Sequence, residues 1–449
     1  EILKEKLEKR LQTPFKRLLT TSDIDEAIAI HNIKFRERVY SPSITFFAFL
    51  AQVLGSDRSC RKAVSRLLAS LAGEGKTNIS NDTSAYCKAR KRFSEKVILW
   101  IFYRVRDRVE EMTKDAFLWM DRSVKVFDGS TVSMPDTPKN QNAYPQSTSQ
   151  KKGCGFPIAR IVVMFSLVTG AVLDLKISPT KKGERTLFRK FFDVIRPGEI
   201  VLADRGFCSF ADIALLCQKQ ADVVFRLFNR KHDFRKGKRL GKNDRLVVWK
   251  CPPQCPPGLL KTLFRKVRSD LTVRLVRFQV AEKGHRTKEI TLITTLLDSK
   301  KYTLEDLAEL YCLRWQAEIN LRHIKTSMGM DVLRCNTPSM IRKEIWIHLI
   351  AYNLVRGFMW EAGLAHQKRP LCLSVKGTIQ YLQSFSPIFE NASAKRAEHV
   401  RIDLLAIIAR EIIPYRPGRI EPRVKKRRPK PYRWMQEPRK VLRSKLVAA

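Results

Sequence analysis

From residue 1 to about 118, apolar residues recur at helical spacing between charged faces, which predicts a helical region. Within it, "SDIDEAIAIHN" (22–32) starts with Ser22 or Asp23 as the expected cap, followed by Asp25 and Glu26 in the first turn. "SITFFAFLAQVLG" (43–55) and "EIWIHLIAYNLVRGFMW" (344–360) are apolar enough to be core helices. Neither suits a membrane span: the first is too short, and His348 and Arg356 interrupt the second. From 123 the period changes to two. "SVKVFDGSTVSM" (123–134) reads as a strand that Asp128 closes, and "PIARIVVMFSLVTGAVLDLKISP" (157–179) as a hairpin turning at Thr169-Gly170. A helix at 184–195, a short apolar strand breaking off at Asp204, a helix at 209–220 and a strand at 221–228 follow. The hairpin makes the early strands antiparallel, and helical crossovers make the later ones parallel. The expected fold is therefore a mixed α/β sheet. Strand-like runs within 245–297 predict a β-rich insertion, and 340–410 reads as helical.

One helical stretch carries two stripes. In "YCLRWQAEINLRHIK" (311–325), Leu310, Leu313, Ala317, Leu321, Ile324 and Met328 form an apolar arc suited to burial. Tyr311, Arg314, Glu318 and Lys325 fall together on a neighbouring arc of roughly 60°. That polar row is either a solvated face, with Glu318 paired to Arg314 and Arg322, or half of an active site.

Charge narrows the partner. The 449-residue chain, long enough for two to four domains, carries 86 Lys and Arg against 44 Asp and Glu, a formal charge of +42. A compact body so charged repels itself unless it meets a polyanion, and DNA or RNA is the natural one. "SNDTSAYCKARKRF" (80–93) reads equally as a solvated face or a phosphate-tracking helix. The segment from Pro414 to Ala449 holds 13 Lys or Arg, two Glu and six Pro, and is expected to be extended or disordered unless bound. Ten cysteines without framework spacing favour a reducing compartment. With no cleavable signal apparent, the expected location is the cytoplasm. Cys251 and Cys255 in "CPPQCPP" lack a second ligand pair and read as ordinary thiols.

Three carboxylates remain. Asp128 and Asp204 stand at predicted strand ends, where ligands of open α/β sheets gather, and Glu318 stands among cations. Carboxylates facing a phosphate repel it unless a divalent metal intervenes. Hard oxygen donors suit Mg²⁺ or Mn²⁺, and two ions per site would serve phosphoryl transfer. Arg314 can grip a phosphate with two parallel bonds, Lys325 can act as a point charge, and Tyr311 can donate to a phosphate oxygen or stack on a base. No P-loop is present, so ATP is not implied.

The spacing of Tyr311, Arg314, Glu318 and Lys325 resembles the Tyr-Arg-Glu-Lys signature of the insertion-sequence-four family of DDE transposases. "FDGSTV" and "LADRGF" are similar to its two aspartate motifs, with Asp204 76 residues after Asp128 and Glu318 114 residues after Asp204. The resemblance covers roughly 30–360. It implies a ribonuclease-H-like core interrupted by a β-rich insertion, with helical regions at both ends. It also implies Asp128, Asp204 and Glu318 as metal ligands, and Tyr311, Arg314 and Lys325 on phosphates of the cleaved end. The implied partners are double-stranded DNA, as transposon-end inverted repeats and target, and a second copy in a synaptic dimer; no membrane and no ATP are involved. The implied reaction is cut-and-paste transposition through a DNA hairpin, with Trp249 as the candidate base-stacking aromatic. The alternatives are a ribonuclease-H-like nuclease without strand transfer and an inactive DNA-binding repressor. The corresponding regions are a helical DNA-binding part at 1–120, catalytic core at 121–228 and 301–365, an insertion at 229–300, and a helical part with basic tail at 366–449.

Overall fold

The computed structural model describes residues 15–35, 39–73, 75, 79–113, 117–227, 234–267, 269–280, 289–414 and 433–448. The chain divides into a helical unit (Glu1–Asp115, Thr169–Leu173 and Asn320–Ile413) and a sheet unit (Ala116–Val168, Asp174–Ile319 and Pro414–Ala449). The helical unit opens with α1 (Thr21–Ile30), α2 (Pro42–Leu54), α3 (Cys60–Ala72), α4 (Ser84–Arg92) and α5 (Glu95–Glu110). Helix α1 starts earlier than its sequence suggested. Thr20 is the cap, and Asp23 sits at the third helical position, where each side chain bonds the other's backbone N–H in a capping box. Asp23 also ties α1 to α5, because both its oxygens accept from Arg108 at 2.7 Å.

The sheet unit is built on nine strands in the order β3-β2-β1-β4-β5-β9-β8-β7-β6. In chain order these are β1 (Val124–Ser133), β2 (Ile158–Ser166), β3 (Val172–Pro179), β4 (Ile200–Ala203), β5 (Asp222–Arg226), β6 (Lys238–Gly241), β7 (Asp244–Trp249), β8 (Leu271–Gln279) and β9 (Glu289–Thr294). Short helices α6 (Pro138–Ala143), α7 (Glu184–Phe188), α8 (Phe210–Gln218) and α9 (Lys261–Arg265) join them. The expected helix at 184–195 tightens after α7 into 3₁₀ turns over Arg189–Val194. β1 pairs antiparallel with β2 and parallel with β4, which is parallel to β5. The sheet is mixed, as the pattern predicted, and its order 3-2-1-4-5 is a ribonuclease-H-like topology, as the resemblance implied. β4 is buried at every residue, which is why it reads as a short unbroken apolar run.

The β-rich insertion continues this sheet. β9 pairs with β5, and β8, β7 and β6 extend outward from it. Arg274, fully buried on β8, pins the extension. It donates to both oxygens of Asp244 at 2.9 and 2.5 Å, and to the Tyr302 carbonyl at 2.6 Å. Trp249 and Cys251, both partly buried, pack with Phe210, Ala214 and Phe264 in a small separate core.

Next come α10 (Leu304–Leu313) and α11 (Trp315–Arg322). The helical unit resumes with α12 (Pro338–Ala365), α13 (Val375–Asn391) and α14 (Ala394–Arg410). The hairpin tip Thr169–Leu173 belongs to this unit, held by α12. The Asn353 amide pairs with both N–H and C=O of Val172 at 2.8 and 2.9 Å, and Tyr352 Oη donates to the Gly170 carbonyl at 3.0 Å. Gly170 has φ +68 and lies against the Arg356 guanidinium, so a side chain there would be strained and crowded. Among the described tail residues, 433–448 include α15 (Arg439–Val447), a helix where extended chain was expected. The most basic part of that tail, 415–432, lies outside the described residues. No helix among the described residues is long and apolar enough to cross a membrane.

Breaking the buried pair should be costly. Arg274→Ala leaves Asp244 buried without its partner, and is expected to lower stability by about 3–5 kcal/mol in urea unfolding. A loss below about 1 kcal/mol would show that Arg274 does not pin the extension.

Candidate active site

Asp128 does not close its strand. β1 runs on to Ser133 along β2, with Asp128 opposite Val163. What ends near Asp128 is the parallel pairing with β4, whose last partners are Val126 and Leu202. Continuing that register by two residues sets Asp128 level with Asp204, which lies one position beyond β4. A two-residue step keeps both on the face shared by Val126 and Leu202. The β4–β5 register, Leu202 with Val224 and Ala203 with Phe225, extends the row to Arg226. The two aspartates and an arginine therefore stand in line, Asp128 just past the end of the β1–β4 pairing, Asp204 one position beyond β4 and Arg226 at the end of β5. Each aspartate commits one oxygen locally: Asp128 Oδ1 accepts from Gly129 N at 2.9 Å, and Asp204 Oδ1 from Gly206 N at 2.8 Å. These are the turn bonds that a purely structural Asp-Gly or Asp-Arg-Gly would make.

The helix expected through 311–325 is broken. Arg314 is the C-cap of α10, α11 starts at Trp315, and His323–Ser327 forms a π-helical turn. The break explains one miss in the apolar stripe. Leu310, Ala317, Leu321, Ile324 and Met328 are buried, whereas Leu313, just before the break, is 44% exposed. Trp315, just after it, is equally exposed. The polar row largely survives. Arg314 Nη2 meets Glu318 Oε1 at 2.6 Å, and its guanidinium lies 5.6 Å from the Tyr311 ring centroid. Lys325 falls in the π-helical turn of the helical unit and is described within that unit alone.

The electrostatics draw the carboxylates together. Burial, opposed by the Gly129 N–H, and then the charge of Glu318, countered by Arg314, with Asp204 adding to it, push the Asp128 carboxyl up to about 7. Burial raises the Tyr311 phenol, against the pull of Arg314 and Arg226. Burial works against the charge on Arg314, yet Tyr311, Glu318 and Asp128 hold its pKa above the ordinary value. The Nε atoms of Arg226 and Arg314 are both buried without a hydrogen-bond partner.

Two nearby residues escaped the sequence reading. Arg226 looked like the end of an apolar strand; its only signal was a cation closing the third parallel strand. Glu184, at the start of α7, packs its carboxyl 2.9 Å from where a Cβ on Gly129 would sit. A side chain at position 129 would have to displace the end of the Glu184 side chain. In donor type and charge, hard oxygens that repel one another, Asp128, Asp204 and Glu318 suit a divalent cation. Among the described residues, no three His, Cys, Asp or Glu side chains are gathered closely enough to hold an ion, and Arg314 engages one oxygen of Glu318.

The model of the transposase DDE domain matches residues 119–354, more than half of the chain. The chain belongs to the DDE transposase family. A DDE transposase is an enzyme of DNA cleavage and strand transfer. The chain is 26% identical over 357 residues to the transposase InsG of insertion sequence element IS4 from Escherichia coli K12, covering 78% of this chain and 77% of InsG. It is 22% identical over 314 residues to the IS231F transposase of Bacillus thuringiensis subsp. israelensis, covering 60% of this chain and 65% of that one. A solved piggyBac transposase synaptic complex with hairpin DNA aligns with 90% of this transposase and 86% of that chain at TM-score 0.46 and 13% identity, too distant to bear on mechanism.

The position of Asp128 makes a pH prediction for the metal-free transposase. A carboxyl whose folded pKa lies above its unfolded value supports the fold fully below the unfolded value, and this support is lost as pH rises through about 7. In chelator, the wild-type Tm should therefore fall from about pH 5.5 to about 8.5 relative to Asp128→Asn, which cannot ionise there. Parallel Tm curves for the two proteins would contradict the site's electrostatics.

Proposed function

We propose that Asp128, Asp204 and Glu318 are the catalytic carboxylates and metal ligands of this transposase, and that Tyr311, Arg314 and Lys325 hold phosphates at the cleaved transposon end. The observation that carries the reading is geometric: strand register sets Asp128, Asp204 and Arg226 level, and the same unit carries the Arg314–Glu318 pair; burial first, and then the charges of Glu318 and Asp204, raise the Asp128 carboxyl. A site that concentrates negative charge beside Arg226 and Arg314 is arranged for cations and a phosphodiester, not for a neutral substrate. Bound to the three carboxylates, divalent ions (Mg²⁺ or Mn²⁺, two per site) supply Lewis acidity and a water of lowered pKa.

The chain's own side chains do the positioning. Arg314 holds Glu318 and offers its remaining guanidinium edge to a phosphate. Arg226, level with Asp204, presents a second guanidinium beside Tyr311. Trp315 leaves an exposed indole next to Arg314, a face on which an unpaired base can stack. It takes over the stacking role expected of Trp249. The reaction sequence is cleavage of one strand to leave a 3′-hydroxyl, attack of that hydroxyl on the opposite strand to close a hairpin, reopening by water, and joining of the freed end to target DNA. Each step is an in-line displacement at phosphorus, so one carboxylate trio serves them all. Two copies of the chain bring the two inverted-repeat ends together, in the bacterial cytoplasm and without ATP.

A duplex carrying the element's end, pre-cut to expose its 3′-hydroxyl, tests this with a target plasmid. In Mg²⁺ the wild type should join end to plasmid; EDTA should stop it. Asp128→Asn should reduce joining on the order of 10³-fold, about 4 kcal/mol of barrier, while still binding the end. Cleavage without joining would favour the nuclease, and binding without either the repressor.

A further inference from the structure

The basic segment 80–93 admitted two readings, and α4 separates them. Its run of cations splits between two faces. Inward, Tyr86 is fully buried and its Oη donates to Gln52 Oε1 at 2.8 Å. Arg90 is 7% exposed; its guanidinium lies 4.8 Å from the ring centroids of both Phe49 and Tyr86. Arg90 also donates to Gln52 Oε1 at 3.2 Å and to Cys60 Sγ at 3.0 Å. A buried arginine gripped by two rings and two polar partners fixes the rotation of the helix about its axis. A turn of one residue, about 100°, would pull it from that slot. Arg90 is therefore the anchor, and the outward face is set by it.

Outward lie Ser84, Ala85, Lys88, Lys91 and Arg92, all exposed. A solvated helical face in a stable protein commonly lays its cations beside carboxylates one turn away. Here Asp82 is occupied in holding the N–H of Ser84 at 3.1 Å and its hydroxyl, with only a weak field linking it to Lys88, and Glu95, at the start of the next helix, accepts from Arg342. Among the described residues, the side chains of Lys88, Lys91 and Arg92 form no ion pair with a carboxylate. The short side chains are at the start of the strip and the long cations at its end. Arg92 also borders, with Lys34, Tyr40 and Phe93, a cleft of about 420 Å³ that adds a cation and aromatic faces.

We propose that α4 is the helix with which this transposase grips duplex DNA: Lys88, Lys91 and Arg92 neutralise backbone phosphates while Ser84 and Ala85 face into the groove. The dimensions agree. Lys88 and Arg92 are about 6 Å apart along the helix axis, close to two base-pair steps of about 3.4 Å each. An α-helix fits a major groove about 12 Å wide, and small residues let its leading turn approach base edges. The inference rests on DNA being the substrate, but not on the carboxylate site, so the two can fail separately.

The test is the full-length triple variant Lys88→Gln, Lys91→Gln, Arg92→Gln, with Lys91→Gln alone as a milder form. Binding to an end duplex is measured from about 50 to about 200 mM salt. Three lost phosphate contacts should lower the slope of log K against log salt by about 2.7, so wild type loses roughly 40-fold more affinity than the variant across that range. The single variant should lower it by about 0.9. Because all three side chains are exposed, Tm should stay within about 2 °C of wild type; should the triple variant unfold, the single variant decides. An unchanged slope in a folded variant overturns the proposal. A lowered slope in a protein that never cleaves DNA keeps it and overturns the carboxylate assignment.

Discussion

Like charges crowded into a half-buried space are the constraint on which this transposase is organised. Asp128 feels burial, Glu318 and Asp204 together, and its carboxyl is pushed to about 7 as a result. A fold held only by packing has no reason to pay for that repulsion. Arg314 offsets part of it at 2.6 Å from Glu318, and Arg226 stands in line with the two aspartates. Glu184, which approaches Gly129, is paired with Arg160 at 3.8 Å.

The fold supplies this concentration through strand register. The parallel pairs β1–β4 and β4–β5 fix how far each strand has advanced when it reaches the carboxyl edge. Asp204 and Arg226, 76 and 98 residues after Asp128 in the chain, therefore arrive level with it. The helical carboxylate arrives differently. The chain leaves the sheet extension through β9, is tied by Arg274 at the Tyr302 carbonyl, and enters α10 through the Thr303 capping box. Arg314 and Glu318, four residues apart, then meet across one helical turn. The β-rich extension is thus coupled to the segment that delivers Glu318.

Much of this was legible in the amino-acid order. Period-two runs located β1, β2, β3, β7, β8 and β9, the apolar tetrad before Asp204 marked β4, and the Tyr-Arg-Glu-Lys spacing brought three of its four members to light around Glu318. The misses share a cause. Sequence gives position along a strand but not across a sheet, so Asp-Gly at 128–129 looked like a strand end when the strand goes on beside β2. For the same reason Arg226, aligned only through lateral register, went unseen, as did Glu184, which meets Gly129 through space. Leu313 was assigned to the core by a periodicity that assumed a continuous helix. Nothing in its local composition marks the break one residue later. In "CKARKR", the spacing could not say which arginine faced inward; the rings of Phe49 and Tyr86 decide for Arg90.

The claim that three distant carboxylates share divalent ions is most directly tested by letting an ion report its own neighbours. Ferrous iron substituted for the native cation, with ascorbate and peroxide, generates hydroxyl radicals that cut the nearest polypeptide backbone, and the fragments are mapped by mass spectrometry. The account predicts cuts clustered around Asp128, Asp204 and Glu318, suppressed together by excess Mg²⁺. Cuts confined elsewhere, or at only one of the three and indifferent to Mg²⁺, would contradict it.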